Sequence, residues 1–300
     1  MDGDASMRIL TAYKRHGVSI VDTLVVIGIM GLLAGLLMPA IQRVRGAADQ
    51  LACADNLRQL SIALHHYHAD HGGFPPRTFN RNRVGSELSW RVLLLPYLEQ
   101  ASLWTRTEQA RRLDPDPTHA PPHDGFAMAL KVFVCPADAR LLRPLANADR
   151  LVAGYSSYVG VGGGRQVDGI MTLPAARLTD VRDGTSNTLI VGERPPSDDL
   201  RVGQWYPLVT RPAKGLWGGP DPSLLAVGAH VVGAPCGEPL EFGPGRTNNP
   251  CDTFHFWSLH QRGANFLFAD GSVRFLRYEA RSLIPALATR AGGEAVQLDH

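Results

Sequence analysis

Between Leu24 and Ile41 eighteen consecutive residues carry no charge, and extending back to Val18 gives twenty-four residues interrupted only by Asp22. As a helix rising about 1.5 Å per residue this stretch spans about 36 Å, enough to cross a hydrocarbon core of about 30 Å. Basic residues flank it on both sides, Arg8, Lys14 and Arg15 before it and Arg43 and Arg45 after it, so charge bias alone does not orient it. A secretory signal also has a basic start and an apolar core, but a small-x-small cleavage site should follow the apolar run. Here the chain continues as IQRVRGAADQLACADNLRQL, which predicts a segment that is retained.

The same helix is expected to continue into water. Apolar residues recur three or four apart at Ile41, Val44, Ala48, Leu51, Leu57, Leu60, Leu64 and Tyr67, with Arg43, Arg45, Asp49, Asp55 and Arg58 on the other faces. Gly72-Gly73 followed by Pro75-Pro76 predicts its end. Val18 to His71 then makes one helix of about 80 Å, with Pro39 inside it removing a backbone hydrogen bond. Gly31 and Gly35 form a GxxxG that lets helices approach closely.

The stretch KRHGVSIVDTLVVIGIMGLLAGLLMPAIQ resembles the amino terminus of type IV prepilins: a short basic leader, a glycine, then an apolar helix. The resemblance implies cleavage after Gly17 by a membrane prepilin peptidase and N-methylation of the new terminus, Val18. It maps the family's acidic residue, which is thought to pair with a neighbouring subunit's terminus, onto Asp22, and its helix proline onto Pro39. Val18 and Asp22 stand where that family prefers phenylalanine and glutamate. Further blocks, CADNLRQLSIALHHYHADHGGFPP, SWRVLLLPYLEQ, VFVCPAD, DGTSNTLIVGE and SLHQRGANFLFADGSVRFL, resemble a bacterial prepilin-like family, domain of unknown function 1559. The last block holds its H-x9-DG signature as His260 and Asp270-Gly271.

The rest of the chain reads as a head. Of 300 residues, 44% are hydrophobic and 19% charged, enough to bury a core. Lys and Arg number 30 against 28 Asp and Glu, so no nucleic-acid partner is expected. Asp270-Gly271 suits a two-residue hairpin turn, and Asp183-Gly184 a turn before a strand at Leu189–Val191. His260 and Glu193 are then polar groups tying strands to loops. The sharper alternative makes His255, His260, Asp270, Asp183 and Glu193 a metal or catalytic cluster, but HExxH or comparable spacing is missing. Of the histidines at 65, 66, 68 and 71, pairs three apart share a helix face and suit a metal, though an exposed helix end is preferred. Glycines from Gly160 to Gly164 read as a turn, and Trp90 to Trp104 as a short amphipathic helix. No catalytic residue, metal or cofactor is expected.

The four cysteines, Cys53, Cys135, Cys236 and Cys251, include no CxxC, which argues against a zinc ribbon or thioredoxin-type site. In an oxidising compartment Cys236 and Cys251, fifteen apart, are the best-placed pair, leaving Cys53 to join Cys135 and fasten head to helix. Four cysteines allow three connectivities, and a buried thiol at Cys53 stays open.

The expected architecture is α+β. A leader (1–17) precedes the membrane and assembly half of a pilin-like helix (18–41), its amphipathic half (42–72), and a loop-rich, mostly antiparallel head (73–300). The expected function is a structural subunit of the cytoplasmic membrane with its head outside, a pilin or pseudopilin assembling through its helix with its own copies or other pilin-like subunits. The alternatives are a monomeric membrane-tethered binding protein and a tethered hydrolase using His260 and Asp270.

Overall fold

The structure, a computed structural model, describes residues 20–76, 87–147, 150–164, 168–172, 175–208, 224–226, 236, 241–294 and 296. Gly17 and Val18 lie outside them. Helix α1 runs Ile20–His71 with Pro39 inside it. The chain divides into two compact units, the first ending at Arg45 and the second beginning at Gly46, so the division falls inside α1.

In the first unit every large apolar side chain from Ile20 to Ile41 is more than half exposed, from Val26 and Leu33 at 52% to Ile20 at 80%. By length and composition this part of α1 is able to cross a membrane. In the second unit the helix changes character. Cys53, Leu57, Leu60, Leu64 and Tyr67 recur at three- and four-residue spacing and are buried in one stripe.

Among the described residues nine strands follow in chain order. The first three have two residues each: β1 (Glu87–Leu88), β2 (Leu145–Ala146) and β3 (Val152–Ala153). The others are β4 (Tyr158–Gly163), β5 (Leu189–Glu193), β6 (Pro207–Leu208), β7 (Leu224–Ala226), β8 (Gly263–Phe268) and β9 (Val273–Arg277). β1 pairs with β6 and β2 with β3, while the main sheet has the order β7-β4-β5-β8-β9. It is antiparallel except where β7 joins β4 in parallel. Among the described residues this unit has three further α-helices, α2 (Trp90–Leu93), α3 (Ala101–Leu113) and α4 (Ile284–Ala288).

Both faces of the sheet are covered, so β4, β5 and β8 are buried at every residue. Alternation nevertheless sorts their side chains, because successive Cβ atoms point to opposite faces. Tyr158, Ile190 and Leu267 join the core that holds the α1 stripe, as does Val191, where a register shift in β5 interrupts the alternation. Val159, Leu189, Ala264, Phe266 and Phe268 join a second core with Phe242, Phe256 and α4.

Two local expectations are corrected. The single helix from Trp90 to Trp104 is broken into α2, a 3-10 turn at Leu95–Leu98 and α3, because Pro96 lacks an amide N–H and Glu99 turns left-handed at φ 59°. The glycines at 160 and 162 lie inside β4 rather than in a turn. A Cβ on Gly160 would lie 2.5 Å from both Leu224 and Met171, so the strand needs glycine for close packing rather than for chain reversal.

The β8–β9 connection is also one residue longer than a two-residue turn. Gly271 N–H donates to the Phe268 carbonyl at 3.0 Å and Phe268 N–H to the Ser272 carbonyl at 2.9 Å, leaving Ala269–Gly271 as a three-residue loop. Gly271 takes φ +87°, the left-handed position such a loop requires, and a Cβ there would sit 3.1 Å from Ser61 Oγ on α1. Gly271→Val therefore costs about 1–3 kcal/mol of stability. Thermal melting of the full chain checks this, and an unchanged melting temperature contradicts it.

Candidate functional site

A buried cluster forms where the second half of α1 meets β5 and β8. Cys53 on α1 is bonded to Cys135, which follows the 3-10 turn Lys131–Phe133, with their Cα atoms 5.1 Å apart. His260 Nε2 lies 3.4 Å from Cys135 Sγ and 3.3 Å from Glu193 Oε1. The Glu193 carboxylate closes β5 and accepts from the Asn265 backbone N–H at 2.6 Å and from Asn265 Nδ2 at 3.2 Å. Asn265 Nδ2 also donates to the Gln50 carbonyl of α1 at 3.3 Å. Cys53 and Glu193 are 0% exposed, Asn265 2%, Cys135 3% and His260 8%.

Neighbouring groups hold this cluster in place. The Tyr158 hydroxyl donates to the Cys53 carbonyl at 3.3 Å and accepts from Asn56 Nδ2 at 3.2 Å. Burial, with Glu193 nearby, pushes the Tyr158 hydroxyl well above its ordinary pKa, so it stays a neutral donor. Asn56 Nδ2 also donates to the Val134 carbonyl at 2.9 Å, and Ser157 Oγ accepts the Cys135 N–H at 3.0 Å. His260 is set by its own N–H, which donates to Ser258 Oγ at 3.0 Å just before Arg262 turns left-handed at φ 70°.

The spacing of the H-x9-DG signature has a physical origin. His260 precedes β8 and Asp270-Gly271 follows it, so the two ends are separated by an extended strand of about 17 Å. β5 runs antiparallel beside β8, which brings Glu193 to the His260 end. At the other end Asp270 N–H donates to the Thr185 carbonyl at 3.0 Å, next to Gly184 at φ +93°. One end of the paired motifs is a polar cluster and the other a pair of turns.

The five-residue metal or catalytic grouping therefore comes apart. Only His260 and Glu193 of that set meet. Asp270 Oδ1 accepts from Ser272 N–H at 2.9 Å and Oδ2 approaches Arg274 at 3.7 Å. Asp183 accepts from Gly292 and Gly293 N–H at 2.7 and 2.8 Å, holding the segment after α4. His255 pairs with Asp252 at 3.1 Å. His66 and His71 are exposed, as expected of a helix end, whereas His65 and His68 are half-buried and pack on Phe74, at 5.7 and 4.9 Å between rings. Burial, and His68 nearby, lower the His65 pKa, with Asp270 opposing.

Asp22, Gly31, Gly35 and Pro39 lie on α1 in the first unit, and a Cβ on either glycine would meet nothing within 4 Å. Cys236 is bonded to Cys251. Sequence reasoning missed Asn265, Asn56 and Tyr158. A signal for Asn265 existed: it is the one polar side chain in GANFLF, on the strand face opposite Phe266 and Phe268.

A model of the family of proteins of unknown function DUF1559 matches residues 42–281. The chain belongs to this family. The matched DUF1559 region begins just beyond the charge-free stretch and contains all the clustered residues, Cys53, Cys135, Glu193, His260 and Asn265. No curated protein and no solved structure gives a match.

Proposed function

We propose that the protein is a pilin-like structural subunit without enzymatic activity of its own. Prepilin peptidase removes the leader after Gly17, Val18 becomes the methylated amino terminus, and the first half of α1 stays in the cytoplasmic membrane. There it assembles with its own copies or other pilin-like subunits, Asp22 meeting a neighbour's terminus and Gly31 and Gly35 allowing close approach. The unit from Gly46 onward is displayed outside the membrane.

The observation that carries this reading is the change of character within one helix. The large apolar side chains from Ile20 to Ile41 are all more than half exposed, whereas the Cys53–Tyr67 stripe is buried against the sheet. Such a helix needs an apolar environment at one end and its own head at the other. His260 and Asp270 flank opposite ends of β8, which speaks against the hydrolase alternative.

Leader processing supplies the test. In membranes of a host with a prepilin peptidase, mass spectrometry of the extracted protein should find Val18 first and carrying a methyl group. Gly17→Leu should leave the leader attached, since the protease requires a small residue there. A chain trimmed after Ala40, or one still starting at Met1 or Met7, counts against the proposal.

A further inference from the structure

The cluster at the disulfide contains a second chemistry. Cys53 Sγ, Cys135 Sγ, Glu193 and His260 each offer one ligand atom, and these atoms all lie within 4.8 Å of one another. Two thiolates, an imidazole and a carboxylate are donors zinc accepts at about 2.0–2.3 Å in tetrahedral geometry. Such a tetrahedron has nitrogen–sulfur edges of about 3.5 Å and nitrogen–oxygen edges of about 3.3 Å. The corresponding distances from His260 Nε2 are 3.4 Å to Cys135 Sγ and 3.3 Å to Glu193 Oε1. The two sulfurs, bonded here, would separate to about 3.8 Å, and the remaining ligand atoms, all within 4.8 Å of one another, would draw in to the same tetrahedron.

We infer that Cys53, Cys135, His260 and Glu193 form a Zn2+ site in the dithiol form of the chain, and that closing the Cys53–Cys135 bond expels the ion. This goes beyond the absence of metal expected from the sequence and does not depend on assembly. Every chain passes through the dithiol form, since cysteines are incorporated as thiols. Zn2+ displaces the two thiol protons on binding. Oxidation then moves the two thiolate electrons, with two protons from solvent, to the disulfide of a thiol oxidase, and the sulfurs join as Zn2+ leaves.

Asn265 completes the site. Its N–H and Nδ2 hold both carboxylate oxygens of Glu193 from outside, the arrangement by which surrounding groups orient a metal ligand. Burial of all four ligands would protect bound thiolates from stray oxidants until the fold opens. Metal binding before oxidation would thereby hold α1 against β5 and β8 while the disulfide is still unmade.

The test uses the full chain in detergent, with Cys236→Ala and Cys251→Ala introduced so that Cys53 and Cys135 are the only thiols. A tertiary phosphine cleaves their bond, taking oxygen from water to become its oxide. After anaerobic desalting, Co2+ is titrated as a spectroscopic stand-in for Zn2+. The expected result is one Co2+ per chain with a thiolate-to-cobalt charge-transfer band, displaced by Zn2+, and a higher melting temperature with metal than without. His260→Gln and Glu193→Gln should abolish stoichiometric binding, and Asn265→Ala should weaken it about 10- to 100-fold. Metal-dependent gain of helical circular dichroism serves as the readout should the reduced chain unfold. Absence of the charge-transfer band in the reduced parent, or unchanged affinity in His260→Gln, overturns the inference.

Discussion

Replacing Cys53 and Cys135 together with alanine is expected to remove about 4.5 kcal/mol of stability, because their bond closes a loop of 82 residues in the unfolded chain. Removing Cys236 and Cys251, whose loop is 15 residues, should cost about 3 kcal/mol. The difference has a structural side as well. Cys53 and Cys135 are buried in the core and tie α1 to the segment after the 3-10 turn Lys131–Phe133, whereas Cys251 is partly exposed. Domains usually have about 5–15 kcal/mol in all, so the first loss consumes a large share. Denaturant titration of the full chain measures both. Equal losses from the two pairs would show that loop length does not set the ranking.

Glu193→Ala is expected to cost about 3–5 kcal/mol, because two buried donors each lose a hydrogen bond to a charged acceptor, worth about 1.5–3 kcal/mol apiece. The substitution leaves Asn265 N–H and Nδ2 without their carboxylate and deprives His260 of a neighbour at 3.3 Å, all inside the core. Asp270→Asn should cost less than about 1 kcal/mol, because its carboxylate serves an exposed turn. A double-mutant cycle separates coupling from simple truncation: in the Glu193→Ala background, His260→Ala should cost clearly less than in the parent. A Glu193→Ala chain as stable as the parent, or additive losses in the cycle, would contradict the network.

How much was legible beforehand differs by element. The apolar run and the three- and four-residue spacing from Leu57 to Tyr67 mark α1, because a long helix with a strong local pattern needs no distant partner to be recognised. Gly271 and Gly184 were legible as turn residues, since a positive φ is written locally. The hairpin loop was misjudged by one residue because the strand register decides where pairing stops. Gly160 misled for a related reason. A glycine that admits Leu224 and Met171 looks, in sequence, like a glycine that reverses the chain.

The site divides in the same way. His260, Glu193, Cys53 and Cys135 each stood out as residues, but their spacing along the chain contains no metal or catalytic pattern. Their separations, such as 82 residues between the cysteines, carry no distance information. Antiparallel pairing of β5 with β8 puts Glu193 beside His260 and leaves Asp183 and Asp270 at the other end. The sequence by itself determined the long helix, the turn glycines, the α+β class and the family. Only the tertiary structure decided which of the polar residues meet, because strand direction and register are set by packing both sheet faces at once, and that is a property of the whole core.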